Sequence, residues 1–224
     1  MIAEGLAQIE ERIEQAARRA GRRREEITLI GVSKIKPAAA IREAYQAGLR
    51  HFGENYVQEF QTKRAELGDL PGATFHMIGH LQSNKARQAA ELFDVIQTVD
   101  SARLARRLDE TGKRLQVPIE VRLSEEEAKT GVAEDELPAL IEVVRGLEHL
   151  ELRGLMVMPP WPETPEDSRP YFRRLRELGA AHGLRDLSMG MTGDFEVAIE
   201  EGATMIRIGT AIFGKRKPPE KGHA

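Results

Sequence analysis

Ile27-Thr28-Leu29-Ile30-Gly31-Val32-Ser33-Lys34-Ile35-Lys36-Pro37 is the stretch on which the reading of the fold turns. Its apolar, β-branched run reads as a buried strand. Pro37 then opens a helix at the position where a missing N–H costs nothing. The helical pattern Ala38–Ala47 follows directly. A buried strand running straight into a helix is the first half of a βα unit, whose strands lie parallel and are joined by crossover helices.

The same alternation recurs outward from this stretch. Strands are expected at Ile27–Ser33, Leu49–Phe52, Thr74–Ile78, Asp94–Val99, Val117–Leu123, Leu150–Met156, Asp186–Ser188 and Thr204–Ile208. Helical patterns fall at Ala38–Ala47, Tyr56–Leu67, Asn84–Leu92, Ser101–Leu115, Glu134–Leu147, Glu166–His182 and Phe195–Glu201, with Ile2–Ala20 added in front. Two α/β architectures suit this order, a closed eight-stranded (β/α)8 barrel (a TIM barrel) and a doubly wound open sheet. The strand count favours the barrel, as does the lack of a Gly-x-Gly-x-x-Gly turn after the first strand. The 224 residues are slightly short for one barrel but suffice, since ~250 residues is typical and ~200 is near the lower limit. Pro159-Pro160-Trp161-Pro162 reads as a rigid loop, not a boundary, so a single domain over 1–217 is expected, with 218–224 a disordered tail.

Composition narrows function. The net charge of −3 gives no electrostatic case for nucleic acid or an anionic membrane. With no cysteine, disulfides, thiolate metal sites and cysteine nucleophiles are excluded, and a reducing cytoplasm is compatible. Met1–Arg24 lacks the apolar core of a signal peptide, and no apolar run is long enough to span a bilayer. Asparagine occurs only at Asn55 and Asn84 and arginine outnumbers lysine, a pattern of heat-stable proteins.

In a barrel, the strand C-termini and the loops after them form the active face. Lys34 ends the first strand there. Apolar neighbours disfavour its ammonium form and make a neutral amine accessible, which suits an imine with an aldehyde. The plain alternative is a strand-end lysine whose head reaches water. Other polar and glycine-rich segments fall on the same face. Ser188, Gly190, Thr192 and Gly193 precede a helix, and Gly209 and Thr210 follow the last strand. Glycines let backbone N–H groups approach an anion, and the loops after strands seven and eight are the usual phosphate site of such barrels. Ordinary turn chemistry would fit either loop alone.

Arg207 alternates with apolar neighbours and is expected to face the barrel interior. A buried arginine needs a partner, either a core carboxylate such as Glu120 or Glu54, or a ligand ring nitrogen. His76 and His80 have i, i+4 spacing but lie in strand and turn, which argues against a metal site. His51 is a strand-end candidate without a partner. Gln82-Ser83-Asn84-Lys85 reads as a helix cap through Ser83 or Asn84, and Ser124–Gly131 as a solvated, charged loop.

Together these segments resemble one family closely. The matching motifs are Val32-Ser33-Lys34-x-Lys36-Pro37, Phe52-Gly53-Glu54-Asn55-Tyr56-Val57-Gln58-Glu59, His76-x-Ile78-Gly79-x-Leu81-Gln82-x-Asn84-Lys85, Arg153-Gly154-Leu155-Met156, Ser188-Met189-Gly190-Met191 and Arg207-Ile208-Gly209-Thr210-Ala211-Ile212-Phe213-Gly214. The chain is similar to the pyridoxal phosphate homeostasis proteins, also described as the YggS or PROSC type, from Ile2 to about Arg216.

The resemblance implies a barrel like the N-terminal domain of alanine racemase. It implies that Lys34 holds pyridoxal 5′-phosphate (PLP) as a Schiff base and that Asn55 lines the pocket. Ser188, Met191, Thr192, Gly209 and Thr210 would surround the phosphate, and Arg207 would lie against the pyridine nitrogen. It implies a cytoplasmic, monomeric carrier or regulator of vitamin B6, without catalytic residues or metal, and with apo PLP-dependent enzymes as candidate acceptors. The chain carries Thr192-Gly193 where relatives often show Ser-Asp or Ser-x-Asp, and threonine keeps the hydroxyl.

An arginine at the ring nitrogen keeps it unprotonated and weakens the ring as an electron sink. A racemase of this type also needs a second base, a tyrosine from a further domain. This chain is expected to lack that domain. The alternatives are a weak amino-acid racemase or other PLP-dependent enzyme, a Schiff-base aldolase, and a barrel that binds a phosphorylated metabolite noncovalently.

Overall fold

The computed structural model describes residues 1–124 and 130–214. Eight parallel strands form a ring: β1 (Thr28–Val32), β2 (His51–Glu54), β3 (Thr74–Met77), β4 (Val95–Ile96), β5 (Leu115–Arg122), β7 (Leu150–Met156), β8 (Asp186–Met191) and β9 (Met205–Ile208). Neighbours pair in chain order, β4 joins β5, and β9 closes the ring on β1 with Ile30 opposite Arg207. The expected (β/α)8 barrel is thus the fold. A further strand, β6 (Val132–Ala133), hangs on the end of β5 opposite Val121 and Arg122.

The helices form the outer layer: α1 (Ile2–Arg19), α2 (Ala38–Gln46), α3 (Val57–Leu67), α4 (Ala86–Leu92), α5 (Ala102–Asp109), α6 (Leu137–Arg145), α7 (Arg169–Ala181), α8 (Phe195–Glu200) and α9 (Thr210–Phe213). In α1, Leu6, Ile9, Ile13, Ala16 and Ala17 are buried at helical spacing and pack against α8 and α9. Arg12 holds that contact with both carboxylate oxygens of Glu196 at 3.2 and 3.1 Å.

Several expectations change. The helix expected over Ser101–Leu115 ends at Asp109, and Leu115 opens β5 instead. The 82–85 segment is a 3-10 turn over Ser83–Lys85, and neither flanking cap uses a side chain. Backbone bonds such as Lys85 N–H to Gln82 O satisfy the open groups there. The seventh expected strand continues past Ser188 to Met191, because Gly190 takes a φ of 94° and the register against β9 shifts there. The fourth is shorter than expected, with Val99 meeting Ile119 only as an isolated bridge. The tail 218–224 and residues 125–129 of the charged loop lie outside the described residues.

The barrel centre is not wholly apolar. Glu54, His76, Gln97, Glu120, Ser188 and Arg207 are all buried, among large aliphatic and aromatic side chains. Buried polar groups need partners, and those partners build the site.

Candidate functional site

A cavity of about 340 Å³ opens among the C-terminal ends of the strands. Lys34, Asn55, Met191, Thr192, Arg207, Gly209 and Thr210 line it, so seven of the eight residues expected at the site meet there. Ser188 does not. It is fully buried, and its hydroxyl is committed to Arg207 and Gln97 beneath the cavity. A strand residue facing the interior one layer down cannot also face the loop above it.

Lys34 follows β1 on a turn that is held from below. Ser33 Oγ donates to Glu54 Oε1 at 2.7 Å, and Lys63 Nζ donates to Ser33 O at 2.8 Å. Lys63 also bonds both oxygens of Glu54, at 2.9 and 3.0 Å, and Glu59 at 2.5 Å. Glu59 accepts the backbone N–H of Ile35 at 2.6 Å. Ile35 has a φ of 62°, a conformation that β-branched residues avoid. Such strain costs on the order of 1–3 kcal/mol and persists only where the surroundings impose it. Here the Glu54–Lys63–Glu59 cluster imposes it. Burial pushes the Glu54 carboxyl up, and Lys63 opposes that shift.

Asn55 follows β2. Its backbone lies so close to Gly79 that a Cβ on Gly79 would come within 2.3 Å of Asn55 O. Among the described residues, Asn55 Oδ1 is buried without a hydrogen-bond partner. An orphaned polar atom at a cavity wall is completed by a ligand with a matching group.

The loop after β8 is preorganised by Asp194. Its Oδ1 accepts the Met191 N–H at 2.7 Å, and its Oδ2 accepts the Ser168 hydroxyl at 2.7 Å. Thr192 and Gly193 are thereby presented to the cavity beside Gly209 and Thr210. Hydroxyls and glycine backbone together form an anion-binding concavity.

Arg207 is 2% exposed and hydrogen-bonds neutral partners. Nη1 donates to Ser188 Oγ at 2.6 Å, and Nη2 donates to Val157 O at 2.9 Å and Met158 Sδ at 3.2 Å. Among the described residues the core salt bridge considered for it does not form: Glu54 is paired with Lys63, and Glu120 bonds Thr130 through Oε1 and leaves its buried Oε2 without a partner. Glu120 and Asp194 act on it only through space. Burial lowers its pKa to about 10, which leaves it cationic at neutral pH. Three of its five N–H groups are used. The remainder suit an acceptor in the cavity.

The other expected candidates fall elsewhere. His51 begins β2 at the opposite end of the barrel and does have a partner, His76 Nε2 at 3.0 Å. His80 is exposed, 3.7 Å from Asp100. Among the described residues no group of three or more His, Cys, Asp or Glu could hold a metal. Lys36 Nζ reaches Gly214 O at 3.0 Å. A larger cavity of about 1510 Å³ lies where the strands begin, but among the described residues no lysine lines it to offer an amine for an imine. Glu59, Lys63 and Asp194 were missed as site residues. The available signal for Lys63 is its place on the apolar stripe of α3, with Val57, Phe60 and Leu67.

The family model described as alanine racemase, N-terminal domain, matches residues 5–217. The chain is 49% identical over 221 residues to the pyridoxal phosphate homeostasis protein of Pseudomonas aeruginosa, covering 96% of each. It is 45% identical over 237 residues to that of Escherichia coli K12, covering 98% of this chain and 99% of the other. Among solved structures, PipY of Synechococcus elongatus with PLP bound superposes with a TM-score of 0.83. It is 43% identical and covers 96% of this chain and 100% of that one.

Proposed function

The chain belongs to the pyridoxal phosphate homeostasis proteins, and on that premise we propose that its cavity holds PLP on Lys34 and that the protein buffers or delivers this cofactor in the cytoplasm. The observation that carries the reading is the meeting of Lys34, Arg207 and two anion-binding loops in one cavity. When bound, PLP supplies an aldehyde that condenses with an amine. Lys34 supplies that amine from its clamped turn. Thr192 and Thr210 offer hydroxyls to the phosphate, and Met191 and Gly209 offer backbone N–H groups. Arg207 donates to the ring nitrogen and, being cationic, leaves that nitrogen unprotonated. Asn55 completes its orphaned oxygen against the ligand. In this reading residues 1–217 act as one PLP-binding domain.

A carrier suits the cavity better than an enzyme. Among the described residues it is lined by no tyrosine and no histidine. Its carboxylates are Asp194, committed to Met191 and Ser168, and Glu163 on an exposed loop. Tyr45 is held by Pro71 O outside the barrel. A second base opposite Lys34, which racemisation needs, has no counterpart among those groups.

The test is the absorption spectrum with added PLP before and after borohydride, for wild type and Lys34→Ala. An imine band that borohydride fixes in wild type and that Lys34→Ala lacks is expected. A band unchanged in Lys34→Ala would overturn the anchor. For delivery, loaded protein should reactivate an apo PLP-dependent enzyme faster than free PLP release allows. Equal rates would leave buffering alone.

A further inference from the structure

Arginine has no acceptor atom, and this fixes the direction of a hydrogen-bonded chain across the barrel. Arg207 Nη1 donates to Ser188 Oγ. The single hydroxyl proton of Ser188 goes to Gln97 Oε1 at 2.6 Å. Gln97 therefore turns its amide nitrogen to His76 Nδ1 at 3.0 Å. An amide N–H only donates, so His76 accepts at Nδ1 and carries its proton on Nε2. That proton is donated to His51 Nδ1 at 3.0 Å. The 3.7 Å approach of Gln97 Nε2 to Met205 Sδ agrees with this orientation of the amide.

The chain joins two ends of the molecule. Arg207, Ser188, Gln97 and His76 are buried, whereas His51 is partly exposed and lines the large cavity where the strands begin. Resting on the PLP reading above, we infer that Ser188, Gln97, His76 and His51 are positioning residues that orient the Arg207 guanidinium at the cofactor cavity through Nη1, and that a proton arriving on His51 from the opposite end weakens that hold.

A proton can enter His51 only at Nδ1, the atom that accepts from His76. Two donors then face each other. Either the His51–His76 contact breaks, or each link reverses in turn. Reversal turns Gln97 over, so that Ser188 Oγ accepts from both Gln97 and Arg207 and the Ser188 proton loses its acceptor at a fully buried site. Neither route removes an Arg207 hydrogen bond outright; each takes away part of the chain that orients Ser188, the partner of Nη1 among the described residues, and so weakens that anchor while the Nη2 bonds stay.

Burial holds His51 below the ordinary histidine value of 6.5, so the proton arrives only in mild acid. Other charged groups line the same cavity. Arg22 and Glu26 lie ahead of β1, Asp94 ahead of β4 and Arg114 ahead of β5. From the β7 and β8 side come Glu148, His149, Glu151, Arg153, Arg185 and Asp186, with Arg153 paired to Glu151 and Asp186. None of these is a cause of the His51 shift, which comes from burial.

The test compares PLP dissociation constants of wild type and His51→Gln from about pH 8 to about pH 5, a range that spans histidine titration. Glutamine can accept from His76 but does not titrate. The ionisations of PLP and of Lys34 are common to both proteins and cancel in the ratio. Near-equal affinity at about pH 8 is expected, with wild type weakening several-fold more than His51→Gln below pH 6.5. Nitrogen-15 spectra of the PLP-free wild type should show His76 protonated on Nε2. Superimposable pH profiles would overturn the coupling, and an Nδ1-protonated His76 would overturn the chain's direction. Failure of both proteins to bind PLP at about pH 8 would defeat the cofactor reading, and this inference with it.

Discussion

Glu54 and Lys63 stand beneath the lysine that defines the site, and both are buried. Removing one partner of such a pair strands a charge in the interior. Lys63→Met is expected to lower stability by about 3–5 kcal/mol, and the double change Glu54→Leu with Lys63→Met by less than the two singles together. Denaturant midpoints of the three variants check this; additive losses would show that the two residues act independently. Lys34 itself was legible because it ends an apolar run, and Arg207 because it interrupts one. The clamp on Lys34 was not. Glu54, Glu59 and Lys63 lie on β2 and α3, and only the fold brings them under the Ser33–Ile35 turn. The same holds for the partnership of His51 and His76, which depends on the parallel pairing of β2 with β3.

The two phosphate-type loops belong to the scale of elements, where strand ends and helix starts set the positions. A Cβ at Gly209 would make only ordinary contact with Val32, at 3.5 Å. Gly209→Asp should therefore fold while its carboxylate repels the phosphate. Inorganic phosphate and PLP affinity measured beside thermal stability would show it, and retained affinity would contradict the assignment. Asp194→Ala removes the acceptor of Met191 N–H and of the Ser168 hydroxyl. It should cost about 1–3 kcal/mol of stability and weaken PLP binding. A variant with unchanged affinity would show that the loop needs no such tie. Alternation of apolar runs and helical periodicity made the eight barrel strands readable, since each pattern is local. The two-residue β6 and the shift at Gly190 carry no local hydrophobic signal, which is why the seventh strand is expected to end at Ser188 and in fact runs on to Met191.

At the scale of the whole molecule, the polar chain through the barrel links stability to pH. Burial first, and the nearby His51 second, hold His76 down to about 3 against an ordinary 6.5. Between those values the unfolded chain takes up a proton that the folded chain does not. The contribution is fully present above about pH 6.5 and is lost as pH falls toward 3. Glu54 and Glu120 are pushed up by burial and act in the opposite sense, favouring the folded state as they protonate. Wild type should therefore lose more stability than His76→Gln between about pH 7 and about pH 5. Equal losses would place the acid sensitivity elsewhere.

Closing the ring also gathers the site, since Lys34 leaves β1 and Arg207 lies on β9, neighbours only because the last strand returns to the first. The most direct measurement of the central claim is peptide mapping by mass spectrometry after borohydride reduction of the PLP-loaded protein. A phosphopyridoxyl group on Lys34 is the predicted result. Label absent from Lys34 and carried by Lys36 or any other lysine would contradict it.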